Sequence, residues 1–335
     1  MRFSKPLLTA AAAAIALSGV AARAEPVKFR IAWIVPAGDA PLALLGKPGI
    51  ALHEGKSYTL DFQHFTGTPP MISAVAANQI DLVPFAFSSF ALAVENAKLA
   101  DLRILADVFR DGVEGYYSTE YMVLNDSGIT KVEDLKGKVV TSNAAGSAVD
   151  IALREMLKRH GLEDKKDFSL IESAFPNMKA ELLDHKVDLI TGVAPFSQDA
   201  QLRAGAHALF LQKDAIGISQ MIIWTARADF IAQNRAAIVD FFEDNLRELR
   251  WYWNPANHDE AIKAVTDYTK TPAALWASWL FTKGDLYHDP NGMPDLDSLQ
   301  NNIAAAHGLG FVPAELDPHK YADLSLVQEA AQRIK

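Results

Sequence analysis

Runs of β-branched and aromatic residues alternate along the chain with runs of helical apolar period. The pattern predicts strands over 28–35, 58–65, 80–83, 103–109, 120–124, 138–142, 168–171 and 187–191, with an extended stretch over 217–226. Pro36 closes the first of these. Helices are predicted from Pro69 or Pro70 to about Ala77, then over 90–98, 147–160 and 177–184, with Gly161 as a stop signal. The stretch 111–118 is looser and rich in Gly and Tyr. Beyond Asn234 the pattern turns helical, over 235–253, 257–269, 272–281, 295–307 and 325–334. Strands alternating with helices imply α/β units with parallel pairing. The helical tail would pack around the first unit.

One arrangement occurs twice. Pro69-Pro70-Met71 is followed by Ile80-Asp81-Leu82, and Pro176-Asn177-Met178 by Val187-Asp188-Leu189, with ten residues from Met to Asp each time. Each copy follows a predicted strand, opens a helix at proline and enters a short apolar strand through an acid. Proline suits a first helical turn, where its missing N–H costs nothing. Two ordinary βαβ units would read this way by coincidence. Two related domains facing a shared cleft would read this way by necessity.

The N-terminus carries a different signal. Arg2 and Lys5 precede an apolar run over 7–20, and Ala22-Arg23-Ala24 places small residues where a signal peptidase reads them. The run is shorter than the roughly 20 residues of a membrane span. Residues 1–24 are therefore expected to be a cleaved secretory signal, which implies a periplasmic location. Removing them, with their three cations Arg2, Lys5 and Arg23, takes the formal charge from −9 to −12. No basic cluster suited to nucleic acid is present. Net charge does not fix the sign of a small ligand, because a local cleft can oppose the global field.

Cysteine is absent, which excludes disulfides, thiolate metal sites and cysteine nucleophiles. With 50% hydrophobic residues the chain can build its stability from a core, so disorder is excluded. Nine histidines are scattered without an H-E-x-x-H spacing; His53-Glu54, His258-Asp259 and His288-Asp289 read as surface pairs. There is no G-x-S-x-G, P-loop or G-x-G-x-x-G motif. Nothing demands a metal or a cofactor. Trp251 to Trp253, Trp276 and Trp279 read as core.

Ligands of open α/β sheets sit beyond the carboxyl ends of the strands. Four loops have that address: 33–40 with Trp33, then Thr66, Gly67 and Thr68, then Ser88 and Ser89, then 142–147 with Asn143, Gly146 and Ser147. Free N–H groups at helix starts favour an anion there. Trp33 and Phe196 either wall the cleft or belong to the core. Thr68, Ser147, Ser88 and Ser89 equally suit simple helix caps. Arg110, near the end of a strand, is either a carboxylate or sulfonate partner or a surface residue.

Phe65-Thr66-Gly67-Thr68-Pro69-Pro70-Met71 with Ile80-Asp81 resembles the aliphatic-sulfonate, nitrate and taurine family of ABC-transporter substrate-binding proteins. So do Val132-Glu133-Asp134-Leu135-Lys136-Gly137-Lys138, Gly146-Ser147, Gly161-Leu162, Phe175-Pro176-Asn177-Met178 with Val187-Asp188, and Pro195-Phe196. His307-Gly308-Leu309 and Tyr321-Ala322-Asp323-Leu324 extend the likeness. The resemblance implies a type II periplasmic binding-protein fold, two α/β lobes joined by a two-strand hinge with the ligand between them. Lobe I would be 25–115 and 220–335, lobe II 116–219, with crossings near 112–120 and 213–222. The family's cleft residues would fall on Thr66 to Thr68, Ser88, Ser89, Asn143 to Ser147 and Pro195-Phe196.

Three departures stand out. Asn78-Gln79 and His185-Lys186 replace a glycine turn, and Phe87, beside Phe85, replaces a small or acidic residue before the cleft serine. The aromatic pair makes a bulky or aromatic acid as consistent as an alkyl sulfonate. The expected function is a monomeric, non-enzymatic solute-binding protein that captures a small anionic molecule and passes it to an inner-membrane permease. The alternatives are an extracytoplasmic sensory binding protein and an enzyme of the thiamine-pyrimidine type on the same scaffold.

Overall fold

A computed structural model describes residues 25–35 and 47–334. The expected secretory signal, and most of the loop after Trp33, lie outside the described residues. The first unit contains β1 (Val27–Trp33), β2 (Tyr58–His64), α1 (Met71–Ala76), β3 (Val83–Ala86), α2 (Phe87–Glu95) and β4 (Leu102–Asp111). The second contains β5 (Glu120–Leu124), β6 (Val139–Ser142), α3 (Ala148–Arg159), β7 (Ser169–Glu172), α4 (Phe175–Leu183), β8 (Ile190–Gly192), α5 (Ala200–Gly205), β9 (Ala206–Leu211) and α6 (Gln212–Ile216). Then follow β10 (Ser219–Arg227), α7 (Ala228–Tyr252), α8 (His258–Thr269), α9 (Leu296–Gly308) and α10 (Ser325–Arg333).

The strands form two sheets of the same design. In the first, β1 and β2 are parallel, a bridge from Ile31 to Leu82 joins β1 to the approach of β3, and β10 runs antiparallel between β3 and β4. In the second, β6 and β7 are parallel, a bridge from Val140 to Leu189 joins β6 to the approach of β8, and β5 runs antiparallel between β8 and β9. The orders are β2-β1-β3-β10-β4 and β7-β6-β8-β5-β9. Each sheet thus takes one strand, β10 or β5, from the chain after it crosses between the units.

The repeated Met-to-Asp arrangement is a structural repeat. Asp81 N donates to Arg30 O, and the Asp81 carboxylate accepts from Arg30 N at 3.0 Å and its guanidinium at 2.8 and 2.5 Å. Asp188 N donates to Val139 O, and its carboxylate accepts from Val139 N at 2.9 Å and Lys138 Nζ at 3.2 Å. The two turns that replace glycine are both left-handed, with φ of 52° at Asn78 and 57° at His185.

Three sequence expectations shift. The strands expected at 80–83 and 187–191 lie later, because their first residues are spent on these acid-capped entries. The helix expected over 272–281 is only a short 3-10 turn, Ala273–Leu275, after Lys270 at φ 57° and Pro272; Trp276 and Trp279 are buried as expected. The helix expected over 90–98 begins at Phe87, which buries Phe85 and Phe87 completely in the core. One hydrophobic cluster runs through both units and takes in Phe85, Phe90, Ile223 and Phe241 together with Met122, Val149, Phe175 and Met178.

The chain crosses between sheets twice, side by side. Ser118 Oγ and Thr119 N donate to the Asp111 carboxylate at 2.5 and 2.8 Å, and Gln212 N donates to Thr119 O at 2.8 Å. Gln212 Nε2 reaches Ser219 Oγ at 3.0 Å. Gly112 sits at φ 81°, and a Cβ there would lie 2.7 Å from Lys213 Cβ and 3.3 Å from Gly217 O. The close pass of the two connectors therefore requires glycine. Burial raises the Asp111 pKa, opposed by its hydrogen bonds from Ser118 and Thr119. No described helix is long and apolar enough to cross a membrane.

Candidate ligand cavity between the two sheets

A cavity of about 90 Å³ lies where the carboxyl ends of the parallel strands of both sheets meet the connectors. The first unit contributes Ile34, Val35, Thr68, Pro84, Ala86 and Phe109; the second contributes Asn143, Ser147, Ala148, Val149, Phe175, Val193 and Ala194. The remaining walls are Tyr117 and Thr119 from one connector, Met221 and Ile222 from β10, and Leu286. The structural repeat explains the pairing. Thr68 and Phe175 stand three residues before Met71 and Met178, and Ala86 and Val193 stand five after Asp81 and Asp188. Both members of each pair line the cavity.

The units touch around it. Asn143 Nδ2 donates to Thr66 O at 3.1 Å, and a Cβ on Gly67 would lie 2.7 Å from that nitrogen. Gly146 stands at φ 74°, where a side chain is strained, and a Cβ there would lie 3.2 Å from both Leu92 Cδ1 and Phe311 Cδ1. Lys158 Nζ donates to Gly308 O at 2.9 Å, and the Arg154 guanidinium lies 5.6 Å from the Phe311 ring centre. On the connector side, the Tyr117 hydroxyl donates to Gly192 O at 2.8 Å and lies 2.9 Å from Ser197 Oγ.

Of the residues expected from sequence, Thr68, Asn143 and Ser147 face the cavity. Gly67, Gly146 and Thr66 are instead where the units meet. Ser89 Oγ lies 2.7 Å from Thr68 Oγ1, just behind the wall. Ser88 is fully buried and its hydroxyl has no partner among the described residues. Trp33 packs on His64 with ring centres 4.5 Å apart, one residue before the lining Ile34. Phe196 packs against the core beside the lining Ala194. Phe85 and Phe87 do not reach the cavity, so the aromatic character expected from them has another source. Phe109, Tyr117 and Phe175 supply it, and of these only Phe175 stood in a segment singled out for its family resemblance.

Arg110 is also elsewhere. Its guanidinium donates to Gln220 Oε1 at 3.2 Å and to Met293 O, and it covers the Tyr287 ring at 5.4 Å. Asp289 and Asp107 lie 3.6 and 3.8 Å away. It braces β4 and β10 against the loop before α9.

The polar groups on the wall each have a protein partner. Ser147 caps α3 by accepting from Asp150 N at 3.3 Å and donates to Asn143 Oδ1 at 2.7 Å. Asp150 Oδ2 accepts from Gly146 N at 2.8 Å and Glu172 Oε1 from Ala145 N at 2.9 Å. Burial raises the Asp150 pKa, opposed by Arg154 at 3.0 Å. Burial likewise raises that of the Tyr117 phenol. No charged side chain lines the cavity among the described residues. A helix N-terminus offers an anion at most about 2 kcal/mol, while burying an unpaired ion costs several. His53, Asp240 and Glu243 bring donor atoms within 4.8 Å of one another far from this site, but Arg247 and Arg333 already pair with those carboxylates.

The profile of the NMT1-like family matches residues 22–266. The chain belongs to the NMT1-like family. No curated protein matches it by sequence. Among solved structures, this family member is similar to the nitrate-binding protein NrtA of Synechocystis PCC 6803, at 17% identity and a TM-score of 0.70, over 93% of this chain and 90% of that one. It is similar to the alkanesulfonate-binding protein SsuA of Xanthomonas axonopodis pv. citri, bound to MOPS, at 15% identity and a TM-score of 0.69, over 90% and 99%. It is also similar to the desulfurization enzyme DszB, at 12% identity and a TM-score of 0.65, over 92% and 100%. At these identities the likeness establishes the fold, that of the two-lobed periplasmic binding proteins, which the NMT1-like chain shares from β1 to its C-terminal helices.

Proposed function

We propose that this NMT1-like protein is the solute-binding component of an ABC importer. It is exported by its N-terminal signal, works as a monomer in the periplasm and delivers a small organic ligand to an inner-membrane permease. Lobe I is 25–115 with 220–335, lobe II is 116–219, and the connectors near 112–120 and 213–222 form the hinge. The carrying observation is the cavity itself, walled equally by two sheets that share only two crossings. Such a site is complete only when the lobes close, so ligand binding and closure are one equilibrium.

Thr68, Asn143 and Ser147 are the polar contacts, and the apolar wall holds the body of the ligand. Ser89, Gly67 and Gly146 support them from behind or let the lobes meet. The sequence pointed to an anionic ligand through the helix starts at the cavity, but at α3 the N–H groups of Ala145 and Gly146 already serve Glu172 and Asp150. The side chains around the cavity are neutral. Among the described lining residues the titratable side chain is Tyr117, whose phenol burial keeps protonated, and this favours binding over acid–base chemistry.

A thermal-shift screen of residues 25–335 against sulfonates, nitrate, taurine, carboxylates and neutral ring compounds tests the reading. A cleft ligand at a hundred times its Kd adds about 2.7 kcal/mol. Stabilisation without chemical change of the compound is expected. Turnover of the compound would overturn the transport reading, and a sensor-kinase gene in place of permease genes nearby would move it to sensing.

A further inference from the structure

We infer that the cavity takes an uncharged compound with a compact aromatic body and one hydrogen-bonding group, rather than a sulfonate, nitrate or carboxylate anion. The inference rests on the binding-protein reading above and concerns the class of ligand.

The anion site that a helix start would offer is taken. At the entry to α3, the N–H groups of Ala145 and Gly146 already donate to the carboxylates of Glu172 and Asp150. Asp150 stands three residues after the lining Ser147, and the exposed Glu172 reaches Ala145 N in the loop between Asn143 and Ser147. A ligand anion would meet repulsion there in place of free donors. The positive neighbour, Arg154, is spent on Asp150 and Asp164 at 3.0 and 2.6 Å. Outside the described residues, the sequence of 36–46 contains no Lys, Arg or His.

What the wall does offer is neutral. Asn143 has two amide hydrogens and gives one to Thr66 O, leaving one. The Thr68–Ser89 hydroxyl pair has two hydrogens and uses one between its members, leaving another. Two spare donors suit a carbonyl or hydroxyl oxygen. Around them Phe109, Phe175 and Met221 present ring and thioether surface, the surroundings an aromatic ring prefers. A charged head would sit in the same apolar enclosure without a counter-ion, which is unfavourable.

The test is isothermal titration of the purified protein with benzamide and benzyl alcohol, and with their charged counterparts benzoate and benzenesulfonate, plus taurine and nitrate. Small-angle X-ray scattering of each mixture reports lobe closure. Benzamide is expected to bind about tenfold or more tighter than benzoate, and benzoate to gain affinity as pH falls toward its own pKa. Phe175→Ala should weaken benzamide while leaving the unliganded scattering curve unchanged. If an anion binds more tightly than the neutral rings and closes the lobes, the ligand class is wrong and the binding-protein reading stands. If no compound binds at 10 mM or roughly that level and none changes the scattering, both are wrong.

Discussion

Asp81 and Asp188 make the same turn into their strands but hold it with different partners. Asp81 is a half-buried acceptor of three hydrogen bonds from Arg30, with a side chain 9% exposed. Asp188 is 31% exposed and shares a flexible lysine with solvent. The cavity shows the same exchange. Where lobe I places Thr68, lobe II places Phe175; where lobe I places Ala86, lobe II places Val193. The two copies share a hydrogen-bonded frame and differ in their side chains. The frame fixes where the cavity is, and the diverged positions decide what fits.

The comparison can be broken first at the two acids. Asp81→Ala should cost about 2 kcal/mol, because it removes three hydrogen bonds that hold the turn, and Asp188→Ala only about 1. Equal losses in urea unfolding would mean that the two copies are held alike.

The lobes should also differ in pH response. In the part assigned to lobe I, burial raises Asp107 and Asp285 to about 7 and Glu248 well above its ordinary value. Carboxyls with raised folded pKa values contribute most below their unfolded pKa, and that contribution is lost as pH rises through the folded value. His288, lowered to about 4 by burial, opposes this by losing stability as pH falls below about 6.5. In lobe II burial raises Asp150, while hydrogen bonds to His160, Thr130 and Glu163 lower Glu133, Asp134 and Asp167 respectively, and the contribution of those three is lost as pH falls. Glu248, buried without a hydrogen bond from Oε2, is the sharpest probe. Glu248→Gln should raise the thermal midpoint more at pH 8 than at pH 4, because burial resists ionisation of this carboxyl in the folded state.

The two left-handed turns offer a smaller contrast. His185→Gly should gain about 0.5–1 kcal/mol by relieving a strained side chain. Asn78→Gly should gain nothing, since asparagine tolerates that turn and its Oδ1 accepts from Arg227 at 3.1 Å. Smallest is Glu172→Gln, which keeps the acceptor for Ala145 and removes a charge. It should improve benzoate binding by a few tenths of a kcal/mol and leave benzamide unchanged.

The frame was legible in the sequence because it depends on local signals. Proline at a helix start, an acid at a strand entry and alternating β-branched runs each report backbone geometry directly. Thr68, Asn143 and Ser147 could be found for the same reason, since they sit at strand ends before helices. The rest of the wall could not. Tyr117, Thr119, Met221 and Leu286 reach the cavity through the connectors and a long loop, where no periodicity marks a facing side. β9 was missed because His207 interrupts its short apolar run. Phe85 and Phe87 were misread because the helix starts earlier than its apolar period suggests. The glycine at 67 was legible as a point of close approach, but its partner proved to be Asn143 of the other lobe rather than a ligand.

One cavity is shared by the two lobes, and blocking it from either side is the most direct test of its role. Val193→Trp fills it from lobe II and Leu286→Trp from lobe I. Every compound that raises the melting temperature of the native protein should lose its effect in both variants. A compound that stabilises native protein and both variants equally would place the binding site elsewhere and contradict the account.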